Sequence, residues 1–245
     1  MNKKLFVVSD IHSFYTPLIK TLNQKGFDPN NENHWLITCG DNFDRGPESE
    51  EVLHFLMSLE RKILIKGNHE LLLEDCCIRE DAYAYDYSNG TVRTINDIGG
   101  ASEGRPFDEC CQRAWNKTAR YRELLQNYFE TKKYIFVHSW IPVVTLDNWK
   151  YKYNENWRNA DNDHWNEATW YNPFDMHFLD LNKTGKTIVF GHWHCSAGHK
   201  MLGHCKEEFG YAIWEPCYAE GIIGIDRCTA HTGEVNVLVL EDEFI

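Results

Sequence analysis

A turn that carries two carboxylates and one guanidinium follows the second apolar run of the chain. After the apolar residues 35–39, the turn reads Gly40-Asp41-Asn42-Phe43-Asp44-Arg45-Gly46. Open α/β sheets bind their ligands at the carboxyl ends of strands, so these side chains can hold a metal ion or a phosphate. The alternative is an Asx-rich turn that only reverses the chain, and the turn alone does not separate the two interpretations.

Four other segments place metal-competent residues where an apolar run ends. They are Asp10-Ile11-His12, Gly67-Asn68-His69-Glu70, His138 and Gly191-His192-Trp193-His194. One histidine after a strand is more often a core residue, and an Asp-x-His triplet is frequent by chance. Five such strand ends in one chain favour a shared site. Carboxylate, imidazole and amide ligands without a thiolate suit divalent metals such as Mn, Fe or Zn.

Three strand-and-helix units must position the first of these residues. Residues 4–9, 35–39 and 62–66 are apolar runs that predict buried strands, and a helical pattern follows each of them. Strands that alternate with helices predict a parallel sheet, and the carboxyl ends of parallel strands meet at one edge. We therefore expect the polar turns after these strands to converge.

Helix boundaries in this region follow from residues that favour helix ends. Thr16 is the expected N-cap of the first helix, with Pro17 at the first helical position and Gly26 at the end. The second helix is expected to carry Pro47 in its first turn. The acidic residues that follow Pro47 would then lie near the positive end of the helix dipole.

The later part of the chain predicts a second sheet. Residues 134–137 and 186–190 predict strands that end at His138 and at Gly191. Residues 221–226 and 234–240 flank Thr232-Gly233 in a pattern typical of a hairpin. This hairpin would finish the second sheet, which we expect to pack on the first.

Two segments interrupt the pattern, and we expect them to decorate a single domain over residues 1–245. Residues 71–133, the helical flank, are mostly helical by composition, with one helix over 122–132, and offer little chemistry of their own. Residues 147–180, the aromatic insert, contain Trp149, Tyr151, Tyr153, Trp157, Trp165, Trp170 and Tyr171. The insert either forms its own small aromatic core, which we favour, or covers the site as a substrate lid.

The composition limits the partners of the chain. The formal net charge of -12 argues against a nucleic-acid backbone as ligand, because phosphate backbones are bound by basic surfaces. A small phosphate held by metal ions remains compatible with this charge. The basic start of the chain precedes only a short apolar run, and no run approaches the roughly 18 residues of a membrane span. We therefore expect no signal peptide, no membrane contact and a cytoplasmic location.

Nine cysteines are scattered through the chain without a Cys-x-x-Cys pair. An odd number of cysteines in a chain expected in the cytoplasm is typical of free thiols. Cys195, His199, His204 and Cys205 lie close in sequence, but their spacing fits no established zinc pattern. We expect a turn with free thiols there as well.

In order along the chain, the five motifs resemble those of the calcineurin-like metallophosphoesterases. The Asp-Arg-Gly and Asn-His-Glu forms are similar to those of the phosphoprotein phosphatase branch, which includes protein serine/threonine phosphatases and bacterial symmetrical diadenosine tetraphosphatases. The resemblance covers most of the chain outside the helical flank and the aromatic insert. It implies an α/β fold, a four-layer α/β/β/α sandwich with two mixed sheets and a metal site at the carboxyl ends of strands.

The resemblance also implies a site with two divalent metal ions. The residues that match ligands of the first ion are Asp10, His12, Asp41 and His194, and those that match ligands of the second ion are Asp41, Asn68, His138 and His192. Asp41 would bridge the ions, because its negative charge keeps two cations close. Two ions roughly 3.5–4 Å apart can bind the phosphoryl oxygens and an attacking hydroxide.

The same resemblance implies roles for residues that contact the substrate. His69 matches a general acid that protonates the leaving alkoxide, and Asp44 matches the residue that orients it. Arg45 matches a bidentate clamp on the phosphate, and Asn68 is a further substrate-binding candidate. The branch carries a second arginine before the last histidine motif, where Arg158 is available. The implied mechanism is in-line attack by metal-bound hydroxide, without a covalent phosphoenzyme.

The resemblance favours hydrolysis of phosphomonoesters, with phosphoserine or phosphothreonine in proteins as the substrate. The first alternative is a symmetrical dinucleoside tetraphosphate hydrolase whose aromatic insert stacks adenine. The insert holds seven acids against three bases, which makes it a poor host for a tetraphosphate. The second alternative is a non-catalytic binding module on the same scaffold, and the complete ligand set argues against it.

Overall fold

We describe the protein from a computed structural model that defines residues 3–147 and 150–244. In this part of the chain the strands are β1 (Lys3–Val8), β2 (His34–Thr38), β3 (Lys62–Ile65), β4 (Leu125–Gln126), β5 (Phe129–Glu130), β6 (Tyr134–Phe136), β7 (Val143–Leu146), β8 (Lys150–Tyr153), β9 (Thr187–Phe190), β10 (Cys217–Ala219), β11 (Ile222–Gly224) and β12 (Leu238–Asp242). The α-helices are α1 (Tyr15–Gln24), α2 (Ser49–Ser58), α3 (Asn68–Arg79), α4 (Ala84–Asn89), α5 (Thr91–Gly99), α6 (Phe107–Lys117), α7 (Ala119–Leu124), α8 (Asn162–Ala168), α9 (Pro173–Phe178), α10 (Cys195–Met201) and α11 (Thr229–Thr232). Short 3₁₀ turns cover Ala101–Glu103 and Trp157–Asn159.

The strands form two mixed five-stranded sheets and one hairpin. The first sheet has the order β12-β1-β2-β3-β4, in which only β12 runs antiparallel to its neighbour. The second sheet has the order β10-β11-β9-β6-β5, with parallel β11, β9 and β6 and an antiparallel strand at each edge. β7 and β8 pair by themselves. The predicted parallel β1-β2-β3 units and the α/β class with two mixed sheets are confirmed.

Backbone hydrogen bonds just beyond the strands hold the carboxyl ends of each sheet together. In the first sheet, the N–H of Asp10 donates to the carbonyl of Gly40 at 3.1 Å. In the second, the N–H of Gly191 donates to the carbonyl of His138 at 2.8 Å. The polar turns that follow the parallel strands therefore begin side by side, as expected from the sequence.

Alternating side chains of the strands divide between three buried clusters. Phe6, Val8, Leu36 and Leu64 face the helices α1, α2, α3, α5 and α6. Leu5, Val7, Ile37 and Ile65 meet Phe136, Val189 and Ile223 of the second sheet. Ile135, Ile188, Phe190 and Ile222 pack under the aromatic insert with Trp157, Trp165 and Phe174. The two faces of each strand thus contribute to different cores, as the twofold periodicity of a strand requires.

The aromatic insert has an aromatic core of its own, which continues the core of the second sheet. Trp157 and Trp165 are buried, and both rings contact Tyr128 with centroid distances of 4.9 and 5.2 Å. Trp170 of the same insert is 52% exposed. Trp149, which the sequence analysis grouped with these rings, lies outside the described residues. The division of the chain into one domain with two decorations stays a prediction.

The hairpin predicted near the end of the chain is wrong. β11 joins the second sheet beside β9, whereas β12 joins the first sheet beside β1. Between them the chain forms α11, with left-handed backbone at Cys228 and Gly233 (φ 53° and 69°). The Thr229 hydroxyl donates to the carbonyl of Asp10 at 2.8 Å. This contact ties α11 to the loop after β1, so the chain crosses between sheets instead of folding back on itself.

Two predicted helix starts also differ from the structure. α1 begins one residue before Thr16, whose hydroxyl donates to the Glu48 carboxylate, so Thr16 connects two helices instead of capping one. α2 begins two residues after Pro47, which lies in the preceding turn. The predicted end of α1 is confirmed, because Gly26 follows the helix with a left-handed φ of 77°.

The single helix predicted over residues 122–132 is wrong. α7 ends at Leu124, and the short strands β4 and β5 follow it. β4 extends the first sheet beside β3, and β5 extends the second sheet beside β6. Sheet pairing with distant strands therefore prevails over the local helical preference of this segment.

The nine cysteines are all free thiols, and most of them are buried. Within the described residues, no helix combines the length and the apolar character that crossing a membrane requires.

We predict that Trp157→Ala lowers the free energy of unfolding by about 3–5 kcal/mol, because it opens a cavity in a buried aromatic cluster. Trp170→Ala, in the same insert, is the matched control, and a surface change of this kind is expected to alter stability by less than about 0.5 kcal/mol. Urea unfolding of both variants measures the difference. Equal losses in the two variants would contradict a buried role for Trp157.

Candidate metal centre

The loops that carry the predicted motifs hold non-glycine residues in the left-handed backbone region. Among the described residues with this conformation, seven belong to these loops, with φ between 49° and 73°: Asp10, His12, Ser13, Asp41, Asp44, Arg45 and His192. Each such residue costs roughly 1–2 kcal/mol, so the surrounding contacts must stabilise the arrangement. Glycine does not mark these seven positions in the sequence, so the sequence analysis did not predict their left-handed backbone.

Gly40 lets the ends of three strands approach one another. It has a φ of 84°, and a Cβ atom there would lie 2.7 Å from Gly67 and from the ring of His138. His138 Nδ1 lies 2.8 Å from the carbonyl of Cys39, which joins the second sheet to the end of β2. A side chain at position 40 would therefore separate the two sheets at the point where their polar residues meet.

The Asp41 carboxylate lies at the centre of two groups of metal-competent side chains. Its Oδ2 atom is 3.9 Å from Nε2 of His12 and 3.9 Å from Nε2 of His69. Its Oδ1 atom is 3.5 Å from Nε2 of His138. The donor atoms of Asp41 with His12 and His69, and of Asp41 with His138 and His192, lie within 4.8 Å of one another in each group.

Two further oxygen donors complete these groups. Oδ1 of Asp10 lies 3.9 Å from Nε2 of His12, and Oδ2 of Asp10 accepts a hydrogen bond from the N–H of His192 at 2.9 Å. Oδ1 of Asn68 lies 2.8 Å from Nε2 of His138. Both residues are buried, so solvent does not compete for their oxygens.

Hydrogen bonds to backbone carbonyls turn two imidazoles toward the centre. Nδ1 of His12 lies 2.9 Å from the carbonyl of Phe43, as Nδ1 of His138 does from that of Cys39. A ring nitrogen that donates to a carbonyl leaves the other nitrogen with its lone pair free. Nε2 of His138 then faces the Asn68 oxygen and also Nδ1 of His192 at 3.1 Å. Converging lone pairs repel one another, and a divalent cation between them satisfies all of them.

The electrostatic environment keeps the donors in their metal-binding forms. Burial and the Arg45 guanidinium hold the pKa of His12 well below its usual range, and burial and His138 lower the pKa of His192 to about 3. Burial by itself raises the pKa of Asp41, but the surrounding histidines, His138 first, bring it below its ordinary value. At neutral pH His12 and His192 are therefore neutral and Asp41 is ionised, as metal binding requires.

Asp10 differs from Asp41 because carboxylates crowd it. Burial, followed by the neighbouring Asp41, raises the pKa of Asp10 to about 6. Two buried carboxylates this close disfavour each other's charge, and a cation between them removes that penalty. The donor set therefore fits divalent metal ions in both charge and ligand type.

His69 contacts Asp44, the residue that the resemblance gives as its orienting partner, and two threonines that the sequence analysis did not identify support Asp44. Nδ1 of His69 lies 2.7 Å from Oδ2 of Asp44, and the Thr91 hydroxyl donates to the same oxygen at 2.7 Å. The N–H of Asp44 donates to the Thr94 hydroxyl at 2.9 Å. Both threonines belong to α5, in the helical flank. No local sequence signal identifies them, because they lie about 50 residues from Asp44.

The neighbouring carboxylates stabilise the protonated form of His69, and the Arg45 guanidinium opposes it. Burial lowers the pKa of His69, but the carboxylates of Asp41 and Asp44 outweigh it and leave the pKa above its ordinary value. Nη2 of Arg45 lies 3.2 Å from Nε2 of His69, and Arg45 itself is exposed. A proton donor and a guanidinium therefore stand side by side at the solvent edge of the centre.

The structure does not bring His194 into either group. His194 caps α10, where its Nδ1 atom accepts from the N–H of Ala197 at 3.3 Å. Its Nε2 atom lies 3.2 Å from the Glu208 carboxylate, and the ring contacts Phe209 and Trp214. Because α10 begins directly after His194, this ring caps the helix. His192, two residues earlier, faces Asp41 instead.

The structure also keeps Arg158 away from the centre. Its guanidinium forms two hydrogen bonds with the Glu130 carboxylate, at 2.7 and 2.8 Å. Glu130 also pairs with Lys186, which directly precedes β9. Because His192 follows the carboxyl end of β9, Arg158 lies toward the opposite end of that strand.

The cysteines and histidines after the last motif have separate contacts. Cys195 contacts the carbonyl of Gly224, and Cys205 contacts that of Glu207, both at 3.2 Å. Nδ1 of His199 lies 3.0 Å from the ring of His204. The two metal-competent groups found among the described residues contain none of these four side chains.

Glu70 supports the turn that carries Asp41, a role that the sequence analysis did not assign. Its carboxylate accepts from the N–H groups of Asp41 and Asn42 at 2.9 Å and from that of Gly67 at 2.8 Å. The buried Tyr121 hydroxyl donates to Glu70 at 2.9 Å and accepts from the Asn42 amide at 2.8 Å. Glu70 has a local signal, since it is the third residue of α3 after a glycine. Tyr121, from α7, has none.

We predict that Tyr121→Phe weakens metal binding about tenfold, because residues that orient metal ligands typically change the affinity by 10–100-fold. The variant removes one buried hydrogen bond to Glu70 and leaves the Asn42 amide with its longer contact to Glu70, at 3.3 Å. Tyr128→Phe, outside the centre, is the matched control. Calorimetric titration of metal into both proteins measures the effect, and equal affinities would contradict it.

Comparison with known proteins agrees with this geometry. A family model described as Calcineurin-like phosphoesterase matches residues 3–196. The symmetrical bis(5'-nucleosyl)-tetraphosphatase of Proteus mirabilis is 44% identical over 69 residues, which are 28% of this chain and 24% of that protein. Serine/threonine-protein phosphatase 2 of Salmonella typhimurium is 29% identical over 143 residues, 57% of this chain and 60% of that protein. The matches thus span less than two thirds of these relatives' own lengths.

A solved structure titled as a cold-active protein tyrosine phosphatase superposes with a TM-score of 0.56 over 97% of this chain and 73% of that chain. Because its identity is 20%, this likeness shows the fold alone. The family match, by contrast, covers most of the sequence and every residue that converges on Asp41. The chain therefore belongs to the calcineurin-like phosphoesterase family.

Proposed function

We propose that the chain is a metal-dependent phosphohydrolase that cleaves phosphomonoesters, with phosphoserine and phosphothreonine side chains of proteins as substrates. The observation that carries the proposal is the position of Asp41, whose two oxygens face two separate groups of metal-competent donors. Calcineurin-like phosphoesterases use divalent metals, and the donor set of this chain fits them. The identity of the metals, Mn, Fe or Zn, is part of the proposal.

In the proposed enzyme, Asp41 takes part in both metal positions. Asp10 and His12 would hold one ion with it, and Asn68, His138 and His192 would hold the other. When bound, the two ions supply positive charge that polarises a phosphoryl group and lowers the pKa of water. We leave His194 out of this set, because its contacts with Glu208 and α10 support a structural use.

The protein side chains at the solvent edge would act on the substrate directly. His69 favours its protonated form, so its Nε2 atom can donate a proton to the leaving oxygen of the ester. Asp44 and Thr91 would keep the ring in this orientation. The planar guanidinium of Arg45 suits two phosphate oxygens at once, and its contact with His69 would place the phosphate beside the proton donor.

The surroundings of the centre support a phosphorylated side chain on a polypeptide as the substrate. Arg45 is exposed, and the exposed rings of Trp170 and Trp193 lie near His192, with centroids at 6.3 and 6.2 Å. An open centre beside apolar surface admits a side chain that projects from a longer chain. The longer match to a serine/threonine-protein phosphatase agrees with this choice.

The same two indoles favour a second candidate, a symmetrical dinucleoside tetraphosphate hydrolase. Exposed indole rings stack on nucleobases, and each stacked base contributes roughly 1–3 kcal/mol. The local identity to a protein of that name is 44% over 69 residues. The seven acids of the aromatic insert still argue against a tetraphosphate beside it.

The experiment that tests the proposal is a phosphate-release assay with Mn, Fe, Zn and Mg titrated in turn. A phosphoserine peptide and diadenosine tetraphosphate serve as substrates at equal metal concentration. We expect kcat/KM to be larger for the peptide. A large preference for the nucleotide would support the second candidate, and inactivity with both substrates at every metal would overturn the proposal in favour of a binding module.

We predict that Asp41→Asn and His69→Asn lose activity for different reasons. Asp41→Asn removes the charge shared by both groups, so bound metal should fall below two ions per chain. His69→Asn should keep its metal and lose roughly 10²–10⁴-fold in kcat, the usual contribution of a general acid. Metal analysis by mass spectrometry, together with turnover, separates the two. Two retained ions in Asp41→Asn would contradict the shared role of Asp41.

A further inference from the structure

A groove of about 790 Å³ opens beside Arg45, and none of the candidate metal ligands lines it. Arg45 and Arg93 both line it, together with Tyr87, Ser88 and Asn96. Its wall is formed by the turn between α4 and α5, in the helical flank. None of these residues other than Arg45 belongs to the five motifs of the sequence.

Arg93 is fixed to the same turn as Arg45. Its Nη1 atom donates to the carbonyl of Arg45 at 3.1 Å. The α4–α5 turn contacts this backbone directly, because Gly90 has a φ of 88° and a Cβ atom there would lie 2.7 Å from Cα of Arg45. Any movement of Arg45 relative to Arg93 would disturb this close packing. The Arg93 guanidinium is therefore placed at the Arg45 backbone, while the Arg45 guanidinium reaches His69.

Neither arginine is neutralised by the protein. Within the described residues, neither Arg45 nor Arg93 forms an ion pair with an acidic side chain, although most other arginines there do. The acid that lines the groove is Asp97, and its Oδ2 atom accepts from the N–H groups of Ser49 and Glu50 at 2.8 and 3.1 Å. Two unpaired guanidiniums in a chain of net charge -12 form a local positive surface that favours an anion.

The directions of the two side chains distinguish their uses. Arg45 reaches His69, so the phosphate to be cleaved lies between them under the proposed function. Arg93 contacts the backbone carbonyl of Arg45 and lines the groove. Because Arg45 also lines this groove, a substrate whose phosphate reaches Arg45 and which extends along the groove would bring its next anionic group to Arg93.

We propose that Arg93 and this groove form a subsite for a second anionic group of the substrate. This group is a neighbouring phosphate, or a carboxylate close to the phosphorylated side chain, and a guanidinium binds either one through paired hydrogen bonds. The proposal rests on the proposed function for the position of the reacting phosphate. Under this proposal Arg93 is a determinant of substrate specificity. Arg93, in α5, would then be the second arginine for which the sequence analysis named Arg158.

The first test measures binding, so that it does not depend on turnover. Metal-loaded wild-type protein and Arg93→Gln are titrated with inorganic phosphate and with inorganic tripolyphosphate. We expect Arg93→Gln to bind tripolyphosphate about tenfold more weakly, the size of one lost charge-assisted hydrogen bond, and to bind phosphate as the wild type does. Arg113→Gln is the matched control, because Arg113 also donates to a backbone carbonyl, that of Gly99, and does not line the groove.

The second test identifies the source of the anion. KM and kcat are compared for p-nitrophenyl phosphate, for two phosphoserine peptides that differ by one nearby glutamate, and for diadenosine tetraphosphate. Arg93→Gln should raise KM only for the substrates that carry a second anionic group, and kcat should not change. A larger increase in KM for the peptide with the glutamate would show that the subsite recognises a carboxylate. A larger increase for diadenosine tetraphosphate would show that it recognises a phosphate.

Several results would overturn the subsite. Equal loss of phosphate and tripolyphosphate binding would mean that Arg93 acts only by positioning Arg45. Unchanged tripolyphosphate binding, or an equal effect of Arg113→Gln, would remove Arg93 as a binding residue. Failure of the wild type to hydrolyse any substrate, with the binding difference intact, would instead count against the proposed function and leave the anion subsite standing.

Discussion

The centre of this protein depends on the burial of one carboxylate, that of Asp41, between imidazoles from both sheets. Burial of an unpaired charge is strongly unfavourable, and the protein itself offsets part of this cost with a backbone N–H group. His12 approaches one oxygen of Asp41 and His138 approaches the other. The N–H of His69 also donates to Asp41, at 3.0 Å. This arrangement exists only while the two sheets stay in contact at Gly40, so the packing of the whole fold is coupled to the charge state of one side chain.

The rest of the architecture maintains an arrangement that is locally unfavourable. Left-handed backbone at the motif loops, crowded carboxylates and converging lone pairs all raise the free energy of the metal-free protein. Glu70 offsets part of this cost by accepting three backbone N–H groups around Asp41, and Tyr121 holds Glu70 in place. Strain of this kind concentrates at functional sites, where the surrounding structure determines a conformation that the local sequence would not adopt.

The helical flank contributes more to the centre than its sequence suggests. The expectation that this segment offers little chemistry is wrong. Thr91 and Thr94 hydrogen bond to Asp44, and Tyr121 hydrogen bonds to Glu70. Arg93 belongs to the same flank. A segment that covers a site can supply its orienting groups, because covering brings many side chains within hydrogen-bond distance. A segment outside the motifs can therefore orient the side chains that the motifs supply.

By itself the sequence determined the parallel strands β1, β2 and β3 of the first sheet, the strands β6, β9 and β11 of the second, and the donor types at their carboxyl ends. These features are local, since apolar runs and the polar residues that end them lie within a few positions of each other. Only the tertiary structure decided that His192 faces Asp41 while His194 caps a helix, and that β12 crosses to the first sheet. It alone placed Arg158 on Glu130 and Arg93 beside Arg45. Such outcomes depend on contacts between residues tens of positions apart, which sheet register and side-chain packing establish and which no local pattern encodes.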